Sequence, residues 1–246
     1  MKTNQQFKNE ALDALRGNWG KAVLATIVYI LIACLASGPA TYGSSQMSAY
    51  MQENVGSHAS LYDMAALMQD PAYQMLSKRS QGTSALTTLI SILVLMPFTV
   101  GFANAMRRLL VDGENNILGN AFGIGFTNNY WRKVWTMLWM EILIFLWALL
   151  LIIPGIIKSF SYAMTPYILE DNPELGAVDA IHRSRMMMRG HKFDLFWLYL
   201  SFIGWFILSI LSLGIGFLWL VPYMETAQAA FYEEVKADYA LNGGLD

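Results

Sequence analysis

One long apolar stretch, residues 134–153, constrains the fold more than any other feature of the chain. Its twenty residues contain a single charged side chain, Glu141. At about 1.5 Å per residue, a helix of this length reaches about 30 Å, the thickness of the hydrocarbon core of a bilayer. Pro154 and Gly155 then break the helix, and a second apolar segment returns to an acidic turn that begins at Glu170. This pattern predicts a transmembrane hairpin.

The composition also indicates that much of the chain is surrounded by lipid. Only 14% of the residues are charged and 55% are hydrophobic, whereas about 25% are charged in ordinary soluble domains. The net charge of −2 provides no basic field for nucleic acid, so we expect no nucleic-acid partner. A lone cysteine, Cys34, excludes an internal disulfide.

Apolar runs predict six transmembrane helices arranged as three hairpins. The fold class expected is therefore all-α, a polytopic membrane helical bundle with additional amphipathic interfacial helices, in which residues 1–246 form a single integral membrane domain. The predicted spans are residues 22–36, 86–105, 134–153, 155–169, 195–213 and 215–231.

Three segments are predicted to lie outside the hydrocarbon. Residues 1–19 place apolar side chains on one face of an interfacial helix. Residues 40–82 lack a span-length apolar run and are predicted to form an extracytoplasmic loop that could contain short amphipathic helices. Asn172, Pro173 and Glu174 supply a helix start, and Gly190 a stop, so residues 173–189 are predicted to form a cytoplasmic amphipathic helix.

The distribution of basic residues predicts the orientation. With the amino terminus inside, all sixteen Lys and Arg residues except Lys78, Arg79 and Lys158 lie on or near the cytoplasmic side. Both termini are then cytoplasmic. The alternative, that the first apolar run is a secretory signal ending at a lipid-modified Cys34, stays open at this stage.

Ionisable groups at membrane depth are costly and are therefore the best candidates for function. One interpretation is a polar path for protons or ions, and the other is structural hydrogen bonding, with the lysine reaching towards headgroups. The candidate polar-path residues are Glu141, Glu225, Gln228 and Lys158. A basic cluster at the end of the 173–189 segment is predicted to bind anionic headgroups: Arg183, Arg185, Arg189 and Lys192.

Motifs for other kinds of chemistry are missing from the sequence. No zinc-binding spacing joins the three histidines, the glycines near residue 123 lack the lysine of a phosphate-binding loop, and no nucleophile elbow surrounds a serine. We therefore expect no cofactor, no metal and no enzymatic activity. Homo-oligomer formation and the identity of protein partners stay open.

Several motifs resemble a family of bacterial integral membrane proteins known as domain of unknown function 975. They are A-L-R-G-N-W-G-K-A-V (14–23), L-L-I-I-P-G-I-I-K-S-F-S-Y-A-M (150–164), Y-I-L-E-D-N-P-E-L (167–175), R-G-H-K (189–192), L-Y-L-S-F-I-G-W (198–205) and A-A-F-Y-E-E (229–234). The resemblance implies a multi-pass protein of the bacterial cytoplasmic (inner) membrane. It implies no activity, substrate or catalytic residue.

The function expected is that of a non-enzymatic integral membrane protein that acts through membrane, lipid or partner contacts. The alternative is a small transporter or channel that uses kinked helices together with Glu141 or Glu225.

Overall fold

The structure is a computed structural model that describes residues 1–55, 60–127 and 129–241, without the side chains of residues 36–40 and 61. All regular secondary structure in these ranges is helical, which confirms the predicted all-α class. The helices are α1 (Asn4–Leu15), α2 (Trp19–Asn54), α3 (Leu61–Gln69), α4 (Pro71–Ile90), a π-helical turn (Ser91–Leu95), α5 (Met96–Asp112), α6 (Ile117–Phe126), α7 (Tyr130–Leu150), α8 (Ile152–Tyr162), α9 (Thr165–Asp171), α10 (Ala177–Met187), α11 (Lys192–Leu200), α12 (Ile203–Leu211) and α13 (Phe217–Leu241).

The chain forms two compact units. One, here called the main unit, comprises Met1–Tyr29 and Met96–Asp246, and the other, the insert unit, comprises Ile30–Leu95.

In the insert unit, the segment predicted as an extracytoplasmic loop is mostly helical where it is described. Helix α2 continues without a break to Asn54, and Asp70 caps α4 by accepting a hydrogen bond from the Ala72 N–H. The hydroxyl of Tyr50 also donates to Asp70, at 3.0 Å, which ties α2 to the start of α4. Residues 56–59, which include His58, lie outside the described residues.

In the main unit, α11 and α12 run antiparallel to α13. His191 contacts Asp238 at one end, the ring of Phe202 lies 5.0 Å from that of Tyr223 further along, and the ring of Phe206 lies 5.3 Å from that of Phe217. The turn between them contains Leu213 and Gly214, both in the left-handed region, with φ of 56° and 89°. This pair is the predicted carboxyl-terminal hairpin.

Helix α9 runs parallel to α13, and this register orients the rest of the main unit. The carbonyl of Ala163, just before α9, accepts from Gln228 at 3.2 Å. One turn further on, the ring of Tyr167 stacks on that of Tyr232 at 4.7 Å between centroids, and another turn on, Asp171 pairs with Lys236 at 2.6 Å. Because each contact is four residues after the last on both helices, the two axes point the same way.

The predicted fourth span is broken within the structure. Helix α8 ends at Tyr162 and α9 begins at Thr165, with Pro166 in its first turn. Proline has no backbone N–H to donate to the preceding turn, so it starts a helix more readily than it continues one. The two pieces are 11 and 7 residues long.

Among the described residues, three helices are long and apolar enough to cross a membrane: Pro71–Asp112, Tyr130–Leu150 and Lys192–Leu211. The bent pair Asn4–Leu15 and Trp19–Leu35 would make a fourth if it formed a single span. The six-span hairpin topology is therefore not confirmed.

Helix α1 forms as predicted, but its apolar face is turned to the protein. Phe7, Ala11 and Leu15 are buried, and the ring of Phe7 lies 5.5 Å from that of Phe231 on α13. Of the predicted apolar face, Leu12 is the most exposed side chain, at 37%. Lipid contact by α1 would therefore involve the edge of its apolar face, at Leu12, and not the centre of that face.

Candidate functional site

The acidic last turn of α9 is the centre of a charged network, here called the hub, that joins three helices. The Asp171 carboxylate accepts hydrogen bonds from Arg107 on α5 at 2.6 Å, and from Tyr232 and Lys236 on α13 at 2.7 and 2.6 Å. The Arg107 guanidinium also binds Glu233. The side chains of Arg107 and Asp171 are each only 15% exposed, so this network is shielded from solvent.

A second set of charges lies beside it. Glu170 pairs with Arg108 at 3.1 Å and with Lys133 on α7 at 3.8 Å. The ammonium of Lys133 is almost fully buried and also donates to the backbone carbonyl of Ile124. Consecutive acidic residues thus bind consecutive arginines, which fixes the rotation of α9 about its axis.

Arg132 explains why α10 starts later than the sequence predicts. Its guanidinium donates to the carbonyls of Asn172 at 3.0 Å and Leu175 at 2.8 Å, and also to that of Leu169. These bonds hold residues 172–175 as a turn, and the helix begins at Ala177 instead of Pro173. The carbonyls left over at the end of α9 are satisfied by a side chain, as helix ends require.

The charge on Asp171 is favoured by its partners. Burial alone would raise the pKa of this carboxyl group, but hydrogen bonds from Lys236 and Tyr232 and the charge of Arg107 lower the pKa below its ordinary value of 3.8. The hub therefore contains an ionised aspartate at neutral pH. A polar cavity of about 260 Å³ opens beside it, lined in part by Asp171, Arg183, Tyr232, Lys236 and Tyr239.

Two of the four predicted polar-path residues, Glu225 and Gln228, do come together in the main unit. Gln228 accepts a hydrogen bond from the hydroxyl of Tyr199 and donates to the carbonyl of Ala163. The half-buried Glu225 carboxylate lies within electrostatic range of the hydroxyls of Tyr29, Tyr167 and Tyr199. The Tyr167 hydroxyl is buried and has no hydrogen-bond partner among the described residues.

The other two, Glu141 and Lys158, are elsewhere. Glu141 is exposed on α7. The Lys158 ammonium lies 4.4 Å from the centre of the Trp147 ring, a cation–π contact, and within electrostatic range of Arg185 and Lys192. The sequence predicts Lys158 on the outer face and Arg185 and Lys192 on the cytoplasmic face, and that orientation stays a prediction.

The predicted headgroup-binding residues divide into two groups. Arg183 is half-buried and donates to Asn172 at 2.9 Å, so it belongs to the packed interior. Arg185 and Arg189 are exposed, and Lys192 is partly exposed. The surface available to anionic lipid is therefore Arg185, Arg189 and Lys192.

Sequence reasoning did not predict the hub. In the sequence, Arg107 and Arg108 directly follow the predicted span 86–105 and Glu170 begins an acidic turn, and neither pattern indicates that these residues pair. The signal that could have found them is the Y-I-L-E-D-N motif, which was noted only for its resemblance to the family. In residues 1–55, 60–127 and 129–241, no His, Cys, Asp and Glu side chains group in a way that could hold a metal ion.

The comparisons with known proteins give one match. The sequence model of a family described as "Protein of unknown function (DUF975)" matches residues 148–239, which confirms the resemblance over that part of the chain. The matched region contains α8 to α13 almost entirely, with the hub acids, whereas the amino-terminal motif at residues 14–23 lies outside it. No curated protein and no solved structure matches the chain.

Proposed function

We propose that this chain is an integral membrane protein that acts through contacts with lipid and with partner proteins and performs no catalysis. The observation that carries the proposal is the exposure of two uncharged hairpin ends. Residues Leu149, Leu150, Leu151, Ile152 and Ile153 are between 64% and 74% exposed, and Leu213 is 94% exposed. Exposed apolar surface of this extent is costly in water and favourable in lipid.

Support for a non-catalytic role comes from the hub. Its arginines, lysines and acids are paired with one another or with backbone carbonyls, as in a network that holds helices together. Catalytic groups, in contrast, are free to act on a bound substrate, whereas Asp171, which also lines the cavity beside the hub, is occupied by hydrogen bonds from Arg107, Tyr232 and Lys236.

We further propose a location in the bacterial cytoplasmic membrane with both termini on the cytoplasmic side. The bacterial origin is implied by the family resemblance. The amino group of Met1 lies 3.7 Å from Glu234, so the start of the chain and the end of α13 are on the same side of the main unit. The exposed basic residues Arg185 and Arg189 also fit a surface that faces anionic headgroups. The six-span topology stays a prediction.

Fractionation tests the membrane assignment. The full chain should sediment with membranes, resist extraction by alkaline carbonate and require detergent for solubility. A matched variant with Leu150→Lys and Leu213→Lys should become extractable, because each lysine costs about 2.5–3.5 kcal/mol at membrane depth. Recovery of the unmodified chain as a soluble monomer without detergent would overturn the proposal.

Flotation with vesicles tests the lipid preference. Binding of the detergent-purified chain to vesicles that contain phosphatidylglycerol should weaken when Arg185 and Arg189 are both changed to Gln, by about 1 kcal/mol for each charge. Arg16→Gln removes one charge and is the control for Arg185→Gln alone, because Arg16 is exposed at the end of α1 and already paired with Asp13. Equal loss in both variants would show a non-specific charge effect.

A transport function is the second candidate, and one observation favours it: the Glu225 carboxylate is within electrostatic range of three tyrosine hydroxyls, one of which, that of Tyr199, donates to Gln228. Such a cluster could carry protons or bind a cation. In proteoliposomes, Glu225→Gln should abolish a pH-driven flux, while Glu141→Gln, at an exposed position, should not. If the unmodified chain gives no flux above empty vesicles, this candidate fails.

A further inference from the structure

The two uncharged hairpin ends of the main unit lie on the same side. We call residues 142–157, at the turn between α7 and α8, the first wedge, and residues 203–219, at the turn between α12 and α13, the second wedge. Helices α8 and α9 lead away from the first turn, and α13 leads away from the second. Helices α9 and α13 are parallel and in register from Ala163 and Gln228 onwards. The first turn lies about as many residues before Ala163 as the second turn lies before Gln228, so both turns are on the same side of the main unit.

The charged side chains nearest to the two wedges, on the side towards the hub, lie at one depth. Glu141 and Lys158 flank the first wedge in the sequence. Gly155 approaches Ala148 closely across the hairpin, so the antiparallel register places Glu141 near residue 162, about one turn below Lys158. Below the second wedge, the Lys8 ammonium donates to the carbonyl of Ser201 at 2.6 Å and lies 4.4 Å from the centre of the Phe202 ring.

Helix α10 brings an exposed arginine to this depth. The Ser184 hydroxyl donates to the carbonyl of Ser161 at 3.0 Å and accepts from the Met164 N–H at 3.2 Å, so α10 lies beside the end of α8. The next side chain, Arg185, is exposed. An exposed arginine is not stable against hydrocarbon, because it would be taken out of water without a partner.

The helices between this depth and the two turns are too short to cross a bilayer. From Ser161 to Ile152 is nine residues, which is about 14 Å of helix. From Ser201 to the end of α12 is a similar length. A bilayer core is about 30 Å thick, and a crossing helix needs about twenty residues. We infer that each wedge enters a single leaflet of the membrane and turns back near the midplane.

This inference rests on the proposed membrane function and states which part of the membrane the main unit contacts. The partner is one leaflet with anionic headgroups, since Lys8, Lys158, Arg185 and Lys192 surround the bases of the wedges. The hub, with its buried ions, then lies outside the hydrocarbon on the same side as the Met1 amino group. Residues 134–153 and 195–213, expected to be spans, then lie in helices whose lower halves bury one face in the protein, with Met137, Met140, Leu195 and Leu198 buried, and leave Trp135 and Trp197 exposed.

Depth can be measured by fluorescence quenching in the full chain. Single cysteines Leu151→Cys and Leu213→Cys are placed in a Cys34→Ser background, labelled with a small fluorophore and reconstituted in vesicles of phosphatidylethanolamine and phosphatidylglycerol. Both labels should be quenched roughly twofold or more strongly by lipid spin-labelled at the chain terminus than by lipid labelled at the headgroup, because a wedge tip lies near the midplane. Leu149→Cys and Leu211→Cys replace either variant that fails to fold.

Labelling with a membrane-impermeant maleimide distinguishes failure of the single-leaflet inference from failure of the proposed membrane function. Glu114→Cys, in the turn after α5, is the reference for the hub side. Wedge cysteines should react from neither side. Reaction from the side opposite to the reference would show that the hairpins cross, which overturns the single-leaflet inference and leaves the membrane function intact. Reaction from the reference side, without quenching by either lipid, would overturn both proposals. Stronger quenching by the headgroup label would overturn the inference alone.

Discussion

Arg107 on α5 and Asp171 at the end of α9 are 64 residues apart in the chain, and Nη1 of the first lies 2.6 Å from Oδ1 of the second. Both side chains are mostly shielded from solvent. Ion pairs of this kind stabilise a fold only when the remaining hydrogen-bonding groups are satisfied as well. Here Tyr232, Glu233 and Lys236 satisfy them, and all three come from α13. The hub therefore joins α5, α9 and α13 at one point.

Removal of Arg107 should be strongly destabilising. Arg107→Ala leaves Asp171 and Glu233 without their shared cation in a shielded site, which should cost about 3 kcal/mol and lower the melting temperature by roughly 6–12 °C. Thermal unfolding in detergent, followed by circular dichroism, measures the loss. Arg16→Ala is the control, because the Arg16 side chain is 83% exposed and should contribute little. Equal melting temperatures for the two variants would contradict a stabilising hub.

Acid should weaken the hub through Asp171. Since the pKa of this carboxyl group is lower in the folded chain than its ordinary value of 3.8, the ionised form favours folding. The contribution is present above the unfolded pKa and is lost as the pH falls through the folded pKa, so the change lies below about pH 4. Melting temperatures between neutral pH and pH 3 should fall less steeply for Asp171→Asn than for the unmodified chain. The same slope for both would refute the prediction, and Asp13→Asn, at an exposed position, should leave the slope unchanged.

Substitution by alanine should change the stability of the fold in opposite directions at two glycines in adjacent helices. A Cβ at Gly101 on α5 would overlap the carbonyl of Ala121 on α6, whereas a Cβ at Gly123 would meet nothing within 4 Å. Gly101→Ala should separate the two helices and cost more than about 1 kcal/mol, because backbone atoms cannot move aside as a side chain can. Gly123→Ala should stabilise the fold by about 0.4–1 kcal/mol through the unfolded state. Thermal unfolding in detergent decides, and unchanged or raised stability in Gly101→Ala would disprove the close α5–α6 contact.

Removal of the hydroxyl should change the stability of the fold differently at Tyr167 and at Tyr232, whose rings are stacked. Tyr232→Phe deletes the hydrogen bond to the Asp171 carboxylate and should cost about 1.5–3 kcal/mol. Tyr167→Phe deletes a buried hydroxyl that has no partner among the described residues, so it should be neutral or slightly stabilising. Both changes keep the ring contact at 4.7 Å. If Tyr167→Phe were the more costly, its hydroxyl would have a partner in solution, and unfolding measurements on both variants would show it.

The family resemblance and the coarse character of the chain could be obtained from the sequence alone. The predicted spans 134–153 and 195–213 fall mostly within the apolar helices Tyr130–Leu150 and Lys192–Leu211, because long apolar runs indicate helix independently of their neighbours. The break between α7 and α8 falls at Leu151, however, and not at the predicted Pro154 and Gly155. The candidate site was predicted only in part. Glu225 and Gln228 are three residues apart on one helix, so their proximity follows from helical periodicity. Neither Tyr199 nor Tyr167 could be assigned to them, since each is on another element.

What the sequence by itself determined is therefore local: which segments are helical, which surfaces avoid water, and where charge ends an apolar run. The tertiary structure decided the partners of Asp171, the burial of Lys133 and the shared direction of α9 and α13. The physical reason is that hydrophobicity and helix propensity act over a few turns, whereas these contacts join residues 60 or more positions apart or depend on how one helix is rotated against another. Another such contact, from the Ser184 hydroxyl to the carbonyl of Ser161, places the neighbouring Arg185 near the end of α8, and the depth inferred for both hairpins rests on it.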